Sequence, residues 1–335
     1  MTMQISATAI VKRYGSQPGP LTRLAGRLNF TVEPKLVQAL NGVSIDVRPG
    51  EVLGIVGESG CGKSTLGRVL AGLESPDEGS LTYEGRTLAE LDRRERKTVQ
   101  LASQVIFQDP WASLNPRWRI RQIIGEAPLV HGLVERRDLA RHVTAMLTQV
   151  GLTEDYLDRF PHELSGGQRQ RVGIARALAV SPRTLICDES VSALDVSIQA
   201  QILRLFRRLR NDLGISLVFI SHDLSVVHNL SDRIAVMYLG RIVEIGTAQQ
   251  IYEAPSHPYT QALIADAPRL STQRRSFSVI RGELPSPYAP PSGCAFHTRC
   301  PKAFERCRLD VPATIATEPG RTVACHLYEE ATIPA

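Results

Sequence analysis

Gly57-Glu58-Ser59-Gly60-Cys61-Gly62-Lys63-Ser64-Thr65 fits the pattern G-x-x-x-x-G-K-[ST]. The run follows the β-branched segment 51–56 (EVLGIV) and opens STLGRVLAGL, so it reads as strand, loop and helix, the context in which such a loop wraps a polyphosphate. The glycines let backbone N–H groups curl around phosphate oxygens, and the helix N-terminus adds the positive end of its dipole. Lys63 is expected to reach the β- and γ-phosphates and Ser64 to offer its hydroxyl to Mg2+. Gly57, Ser59, Gly60, Cys61, Gly62, Lys63, Ser64 and Thr65 are therefore the first candidate nucleotide-binding residues.

Further chemistry-bearing residues stand at the ends of apolar runs. Ser165-Gly166-Gly167-Gln168 precedes the basic-faced helix RQRVGIARALAV, so a hydroxyl and backbone donors gather at a helix N-terminus, suited to a second set of phosphate contacts. Asp188 closes the strand Leu185-Ile186-Cys187, where a carboxylate at the carboxyl edge of a parallel sheet can reach Mg2+ through water. Glu189 follows at once and suits a base that positions an attacking water, although an acidic pair capping a loop is the plainer alternative. Gln108 ends Val105-Ile106-Phe107, and His222 ends the strand from Leu217 to Ile220. Either residue alone reads equally well as a polar strand terminus.

These positions need a scaffold. TLICD (184–188) and SLVFI (216–220) are short, nearly uninterrupted apolar runs, as expected of parallel strands buried on both faces. Between them Ile198, Ile202, Leu205, Leu209 and Leu213 recur at helical spacing, which makes a βαβ crossover and an α/β fold. Residues 119–163 are rich in helix formers, with breaks expected at Gly125, Pro128, Gly132, Gly151 and Pro161, and read as a helical insertion. IAVMYLGRIVEIG reads as two strands joined by a Leu239-Gly240 turn. Composition then shifts toward Pro and Ser, and a boundary falls near 247.

With 43% hydrophobic and 22% charged residues the composition excludes a disordered chain or a coiled-coil rod. The net charge of +5 is too mild for a nucleic-acid footprint, so no nucleic-acid partner is expected. No apolar run approaches the roughly 18 residues that cross a bilayer, and no secretory leader is visible at MTMQISATAI.

In order and spacing these motifs resemble those of ATP-binding-cassette (ABC) ATPases. The resemblance implies a P-loop NTPase fold with a RecA-like core, an antiparallel β subdomain and a helical subdomain at about 115–165. It makes Ser165–Gln168 the signature motif, Gln108 the Q-loop glutamine that senses Mg2+ and water, and His222 the switch histidine at the γ-phosphate. Ser192-Ala193-Leu194-Asp195 matches the D-loop, which crosses to the partner subunit. Tyr14, in VKRYG, resembles the aromatic that stacks on adenine, although a long segment from Ser16 to Leu36 separates it from the P-loop strand and a packed tyrosine is the alternative. One departure is Ser190, where the family usually has Pro, so a fixed φ is lost beside Glu189. Catalytic roles are thus assigned to Glu189, His222, Lys63 and Gln108, with Mg2+ held by Ser64, Gln108 and Asp188 and ATP as the nucleotide.

FQDPWASLNP, CDESVSALDVSIQAQ, ISHDLSVV, HPYTQAL and GELPSP together look like the ATP-binding subunits of bacterial oligopeptide/dipeptide/nickel importers, over nearly the whole chain. The long segment after Tyr14 is more similar to the second, F-type, ATPase subunit. Such a chain carries one P-loop and one signature motif, so the resemblance implies a partner ATPase subunit in a heterodimer, two transmembrane permease subunits docked through Gln108–Pro116, and indirectly a solute-binding protein. It also implies a peripheral place on the cytoplasmic face of the cell membrane. Residues 1–246 then form the nucleotide-binding domain and 247–335 a C-terminal importer-type module. Peptide and nickel both stand as substrates, and a soluble, non-transport ABC ATPase is the other class.

Four of the six cysteines crowd the C-terminal module as Cys294-x5-Cys300-x6-Cys307-x17-Cys325. Four such thiols more often bind metal than form disulfides in a reducing compartment. All-thiolate ligation suits Zn2+ or an iron–sulfur cluster. The absence of a C-x2-C pair argues against a zinc ribbon, and the family resemblance implies a [4Fe-4S] cluster in some members; buried free thiols are the third reading. His297 and His326 are spare candidates better read as ordinary polar residues.

Overall fold

The computed structural model describes residues 4–15, 36–109, 111–192, 194–266 and 282–329. Most of the expected Ser16–Leu36 segment, Pro110 in the expected docking segment and Ala193 in the expected D-loop lie outside the described residues. Two sheets organise the molecule. Strands β1 (Ile5–Tyr14), β2 (Val37–Val47), β4 (Glu78–Tyr83) and β5 (Arg86–Thr87) form an antiparallel sheet in the order β2-β1-β4-β5. In the larger sheet β3 (Val52–Val56), β6 (Ser103–Ile106), β7 (Thr184–Asp188), β8 (Ser216–Ser221) and β9 (Arg233–Tyr238) are parallel, and with β10 (Arg241–Thr247), β11 (Thr314–Glu318) and β12 (Arg321–Ala324) the order is β11-β12-β10-β9-β3-β8-β7-β6.

The central strands are apolar throughout because both faces are covered. Leu53, Ile55, Ile186, Val218 and Ile220 face the antiparallel sheet and helix α1 (Lys63–Leu70), where they pack with Ile10, Leu40, Leu66 and Val69. Val52, Val56, Cys187, Leu217 and Phe219 point the opposite way, into the core of the remaining helices. This alternation follows from the two-residue period of a strand. It leaves the carboxyl ends of β3, β7 and β8 side by side, and loops from those ends build the site.

Helices α2 (Arg93–Ala102), α7 (Leu224–Leu230) and α8 (Ala248–Glu253) pack on the larger sheet, and the helical insertion contains α3 (Ile120–Val130) and α4 (Leu139–Gln149), packed on α5 (Gly166–Leu178). Two of its expected breaks are not breaks: α3 runs through both Gly125 and Pro128. Gly125 serves packing instead, because a Cβ there would stand 3.2 Å from Leu139 and 3.3 Å from Val143. Gly132 and Gly151 do follow helix ends, with φ of +66° and +74°. In α6 (Val196–Leu213) Ile202, Leu205, Phe206 and Leu209 are buried, whereas Leu213 lies exposed at the last turn.

Strand β10 (Arg241–Thr247) returns antiparallel to β9 through Leu239-Gly240. The C-terminal residues then extend the same sheet, because β12 (Arg321–Ala324) pairs with β10 and β11 (Thr314–Glu318) with β12. A buried ion pair between Arg321 and Glu244 (2.6 Å) spans this seam, and the Glu244 carboxylate also accepts the N–H groups of Ser256 and His257, each at 2.9 Å. Such a pair is tolerated only because its remaining lone pairs are satisfied.

Candidate nucleotide site

The loop between β3 and α1 is shaped by its glycines. Gly62 caps α1 at φ +106°, and a Cβ there would come within 2.2 Å of the Ala39 carbonyl oxygen, so no other residue fits. Gly57 and Cys61 are buried while Ser59 and Gly60 lie at the surface of the loop. Burial pushes the Cys61 thiol pKa up, which makes it a packing group. Lys63 is only 4% exposed, and its Nζ donates to the carbonyls of Gly57 (2.8 Å) and Glu58 (2.9 Å). The loop therefore closes around its own ammonium group.

Ser64 Oγ donates to Asp188 Oδ1 at 2.8 Å, joining α1 to the end of β7. Burial raises the Asp188 carboxyl pKa; the Ser64 hydrogen bond opposes this, and the charge of Glu189 adds to it. A desolvated carboxylate beside a hydroxyl, with no cation bonded to it among the described residues, suits a small hard cation such as Mg2+.

Glu189 adopts φ +47°, an uncommon conformation for a side-chain-bearing residue, held by its N–H donating to Ile220 O (3.0 Å) and by Ser192 N–H and Oγ donating to its carbonyl (3.1 and 2.9 Å). The strained turn aims its carboxylate at two groups from other strands. Gln108 Nε2 donates to Glu189 Oε2 at 3.0 Å, and His222 Nδ1 lies 3.4 Å from the same oxygen. Three side chains scattered over more than a hundred residues thus meet on one atom. Ser190, next in the chain, is buried.

A cavity of about 350 Å³ opens over the loop, lined by Ser59, Gly60, Gly62, Lys63, Ser64, Thr65, Gln108 and Glu189. Tyr14 lines it from the end of β1, 37% exposed, with its hydroxyl donating to the Glu74 carboxylate. The remaining wall consists of residues that sequence reasoning missed: Val37, Gln38, Ala39 and Asn41 of β2, the Leu239-Gly240 turn, and Pro287 and Pro290. Leu239 takes φ +43°, and Gly240 N–H donates to Cys61 O at 2.9 Å, so the hairpin turn is braced on the phosphate loop. The Pro-rich run 285–291 was a visible signal, but it resembles a linker until the chain folds back over the site.

Ser165–Gln168 and Asp195 are not part of this wall. Ser165 and Gln168 form a capping box at the start of α5, with Gln168 N–H donating to Ser165 Oγ (3.3 Å) and Ser165 N–H to Gln168 Oε1 (2.9 Å). Ser165 and Gly166 are exposed, and Gly167 lies so close to α6 that a Cβ would meet Ile198 at 2.7 Å. Asp195 is the exposed residue before α6. The expected signature and D-loop segments thus pack against each other, Gly166 beside Leu194, and face outward. Trp111, 54% exposed, stacks under Arg169 of α5 at 3.3 Å, while Arg176 donates to Ser113 O, tying segment 108–116 to the signature helix.

The expected metal centre in the C-terminal module receives less support. All six cysteines are free thiols. Cys294 N–H donates to Cys307 O (2.9 Å), burial raises the thiol pKa of Cys294, Cys300 and Cys325, and neighbouring thiols add to each rise. The four therefore converge, yet among the described residues no group of three or more His, Cys, Asp or Glu is arranged to hold a metal ion. His326 is buried and occupied by Glu329 and the Asp310 carbonyl, and the His297 ring by the Cys294 carbonyl.

A P-loop at the edge of a parallel sheet, a strained glutamate beside it and an outward-facing second glycine motif define an ABC-type ATPase cassette. The family profile "ABC transporter" matches residues 40–192, and "Oligopeptide/dipeptide transporter, C-terminal region" matches residues 243–307. The chain is 50% identical to the "Putative oligopeptide transport ATP-binding protein YkfD" of Bacillus subtilis, covering 89% of this chain and 92% of that one. It is 48% identical to the "Oligopeptide transport ATP-binding protein OppF" of Salmonella typhimurium, over 86% and 87%. Among solved structures, the "ATP-binding cassette MJ0796 bound to ADP and Pi", a dimer in a post-hydrolysis state, aligns with TM-score 0.61 and 26% identity, covering 73% of this chain and 98% of that one. The chain belongs to the ATP-binding proteins of the oligopeptide/dipeptide ABC transporter family.

Proposed function

We propose that this protein is the ATP-hydrolysing subunit of an importer of di- or oligopeptides. The convergence of Gln108 and His222 on the Glu189 carboxylate, beside the Ser64–Asp188 pair, carries the reading. In this scheme the loop N–H groups and Lys63 hold the β- and γ-phosphates, Lys63 exchanging its loop carbonyls for phosphate oxygens. Tyr14, with Pro287 and Pro290 of the same cavity wall, offers apolar surface to adenine. Ser64, Asp188 and Gln108 would hold Mg2+, which when bound neutralises developing charge on the phosphates. Glu189 accepts a proton from the attacking water, Gln108 and His222 orient that carboxylate, and His222 senses the γ-phosphate.

The outward-facing Ser165–Gln168 and Asp195 support a second ATPase subunit whose site they complete; the family resemblance favours a different chain over a second copy. Trp111 and Ser113, tied to the signature helix, support docking of permease subunits there. No helix among the described residues is long and apolar enough to cross a membrane, so attachment to the cytoplasmic face would run through those partners. Along the chain, residues 1–246 would act as the nucleotide-binding domain and 247–335 as the module specific to this transporter family.

The test is turnover by the assembled transporter with its solute-binding protein. Peptide should stimulate hydrolysis and nickel should not; stimulation by nickel alone would overturn the substrate class. Glu189→Gln should leave ATP bound but slow turnover at least about 100-fold, the size of a general-base contribution, and an unchanged rate would remove Glu189 from that role.

The four thiols support a narrower second reading. Cys294, Cys300, Cys307 and Cys325 would hold a [4Fe-4S] cluster, or alternatively Zn2+, only after their side chains turn toward a common centre, an arrangement absent among the described residues; otherwise they are buried or half-buried free thiols. Anaerobically purified protein with absorbance near 400 nm and stoichiometric iron and sulfide supports the cluster; colourless protein carrying zinc selects the alternative.

A further inference from the structure

We infer that Arg299 is a positioning residue for the phosphate-binding loop, acting through Glu58, so that the C-terminal module is part of the nucleotide site. The inference rests on the nucleotide-binding reading above. Glu58 is the second residue of the loop, so it brings a carboxylate into the segment that would wrap a polyanion, although the side chain itself does not line the cavity. Arg299 Nη1 meets that carboxylate at 2.8 and 3.1 Å, in a pair whose side chains are only 7% and 22% exposed. The same nitrogen lies 3.4 Å from Tyr238 Oη, which fixes the guanidinium from the other side.

The backbone of Glu58 is held as well. Its N–H donates to Tyr259 Oη at 2.9 Å, and its carbonyl accepts from Lys63. Tyr259 is fully buried, from helix α9 (Pro258–Asp266), against Tyr238 of β9 and Phe296, with ring centroids 4.7 to 5.3 Å apart. Every polar group of Glu58 therefore has a partner; of the four, Tyr259 and Arg299 come from beyond residue 255, and Lys63 and the Cys61 N–H (3.3 Å) from the loop itself. Two consequences follow from the chemistry. Pairing cancels a negative charge that would repel the nucleotide and compete for Lys63, and the aromatic base stops the loop from rotating that carboxylate inward. Arg299 touches no reacting atom, so its effect belongs to nucleotide affinity and not to the chemical step.

The experiment is a double-mutant cycle in the full-length chain, read by equilibrium binding of ATP and by KM and kcat of the assembled transporter. Arg299→Met should weaken ATP binding and raise KM about tenfold, as losing a charge-assisted bond does, with kcat within about twofold of wild type. Glu58→Gln alone should weaken ATP binding less than Arg299→Met does, because the amide oxygen still accepts from Arg299, and Glu58→Gln with Arg299→Met should recover to within about threefold of wild type, because no unpaired carboxylate is left in the loop. Unchanged affinity in Arg299→Met, or a double variant no better than that single one, overturns the inference. If Arg299→Met does not fold, the double variant decides: binding within about threefold of wild type supports the coupling, and tenfold weaker binding refutes it. A wild-type chain that binds no ATP would instead refute the nucleotide reading beneath it.

Discussion

The phosphate-binding loop and the signature loop are built from the same parts, a glycine-rich turn opening a helix, yet they sit in opposite surroundings. The first is closed: Lys63 is buried and bonded within the loop, and Glu58 is anchored to the C-terminal module. The second is open: Ser165 and Gly166 are exposed, and the Ser165 N–H and hydroxyl are engaged by the local capping box with Gln168. A helix N-terminus attracts phosphate in either place. Burial makes one loop a preformed pocket within this chain, and exposure leaves the other outside that pocket, as the proposed second ATPase subunit requires.

Paired substitutions give the strongest way to break this comparison. Lys63→Ala should weaken ATP binding by the chain alone about 100-fold, the loss of one strong charge-assisted contact. Gly166→Asp should leave that binding within about twofold, because the site is not in this chain's pocket. It should also leave stability unchanged or slightly raised, since a carboxylate suits a helix N-terminus. Turnover of the assembled transporter should nevertheless fall about 100-fold as the carboxylate repels the partner-bound phosphates. Equal losses of binding in the two variants would show that the loops act on one nucleotide within one chain.

A smaller effect distinguishes the two regions by pH. His257 is buried, and burial lowers its pKa to about 3; its Nδ1 accepts the N–H of Tyr259, the residue that holds the phosphate loop. The folded state keeps the ring neutral while the unfolded chain binds a proton below about 6.5. The resulting stability is fully present above that pH and lost as pH falls toward 3, at up to about 1.4 kcal/mol per pH unit. Denaturant unfolding from pH 7 to 4 should show this slope, and His257→Asn should flatten it. Smallest of all, Ser165→Ala should cost about 1 kcal/mol through loss of the α5 cap, seen as a lower urea midpoint, with ATP binding by the chain alone unmoved.

Much of the site could be read from the residues because each motif is local: Gly57–Thr65 needs only its strand and helix, and apolar runs at 184–188 and 216–220 suffice for buried parallel strands. Gly125 and Pro128 misled because their types suggest breaks, whereas packing against Leu139 and Val143 makes small size at Gly125 the useful property. Leu239, Pro287 and Pro290 gave no local sign of lining the cavity, since their place depends on a hairpin and on a tail that folds back.

The sequence by itself determined the phosphate loop, the α/β frame and the resemblance to a peptide-importer ATPase, because those features rest on nearest neighbours and on the periods of strand and helix. Only the tertiary structure decided that Gln108 and His222 meet on Glu189, that the signature faces outward, and that Arg299 reaches across 241 residues to Glu58. Those contacts depend on how sheets and helices stack around a shared core, and no local pattern encodes that stacking.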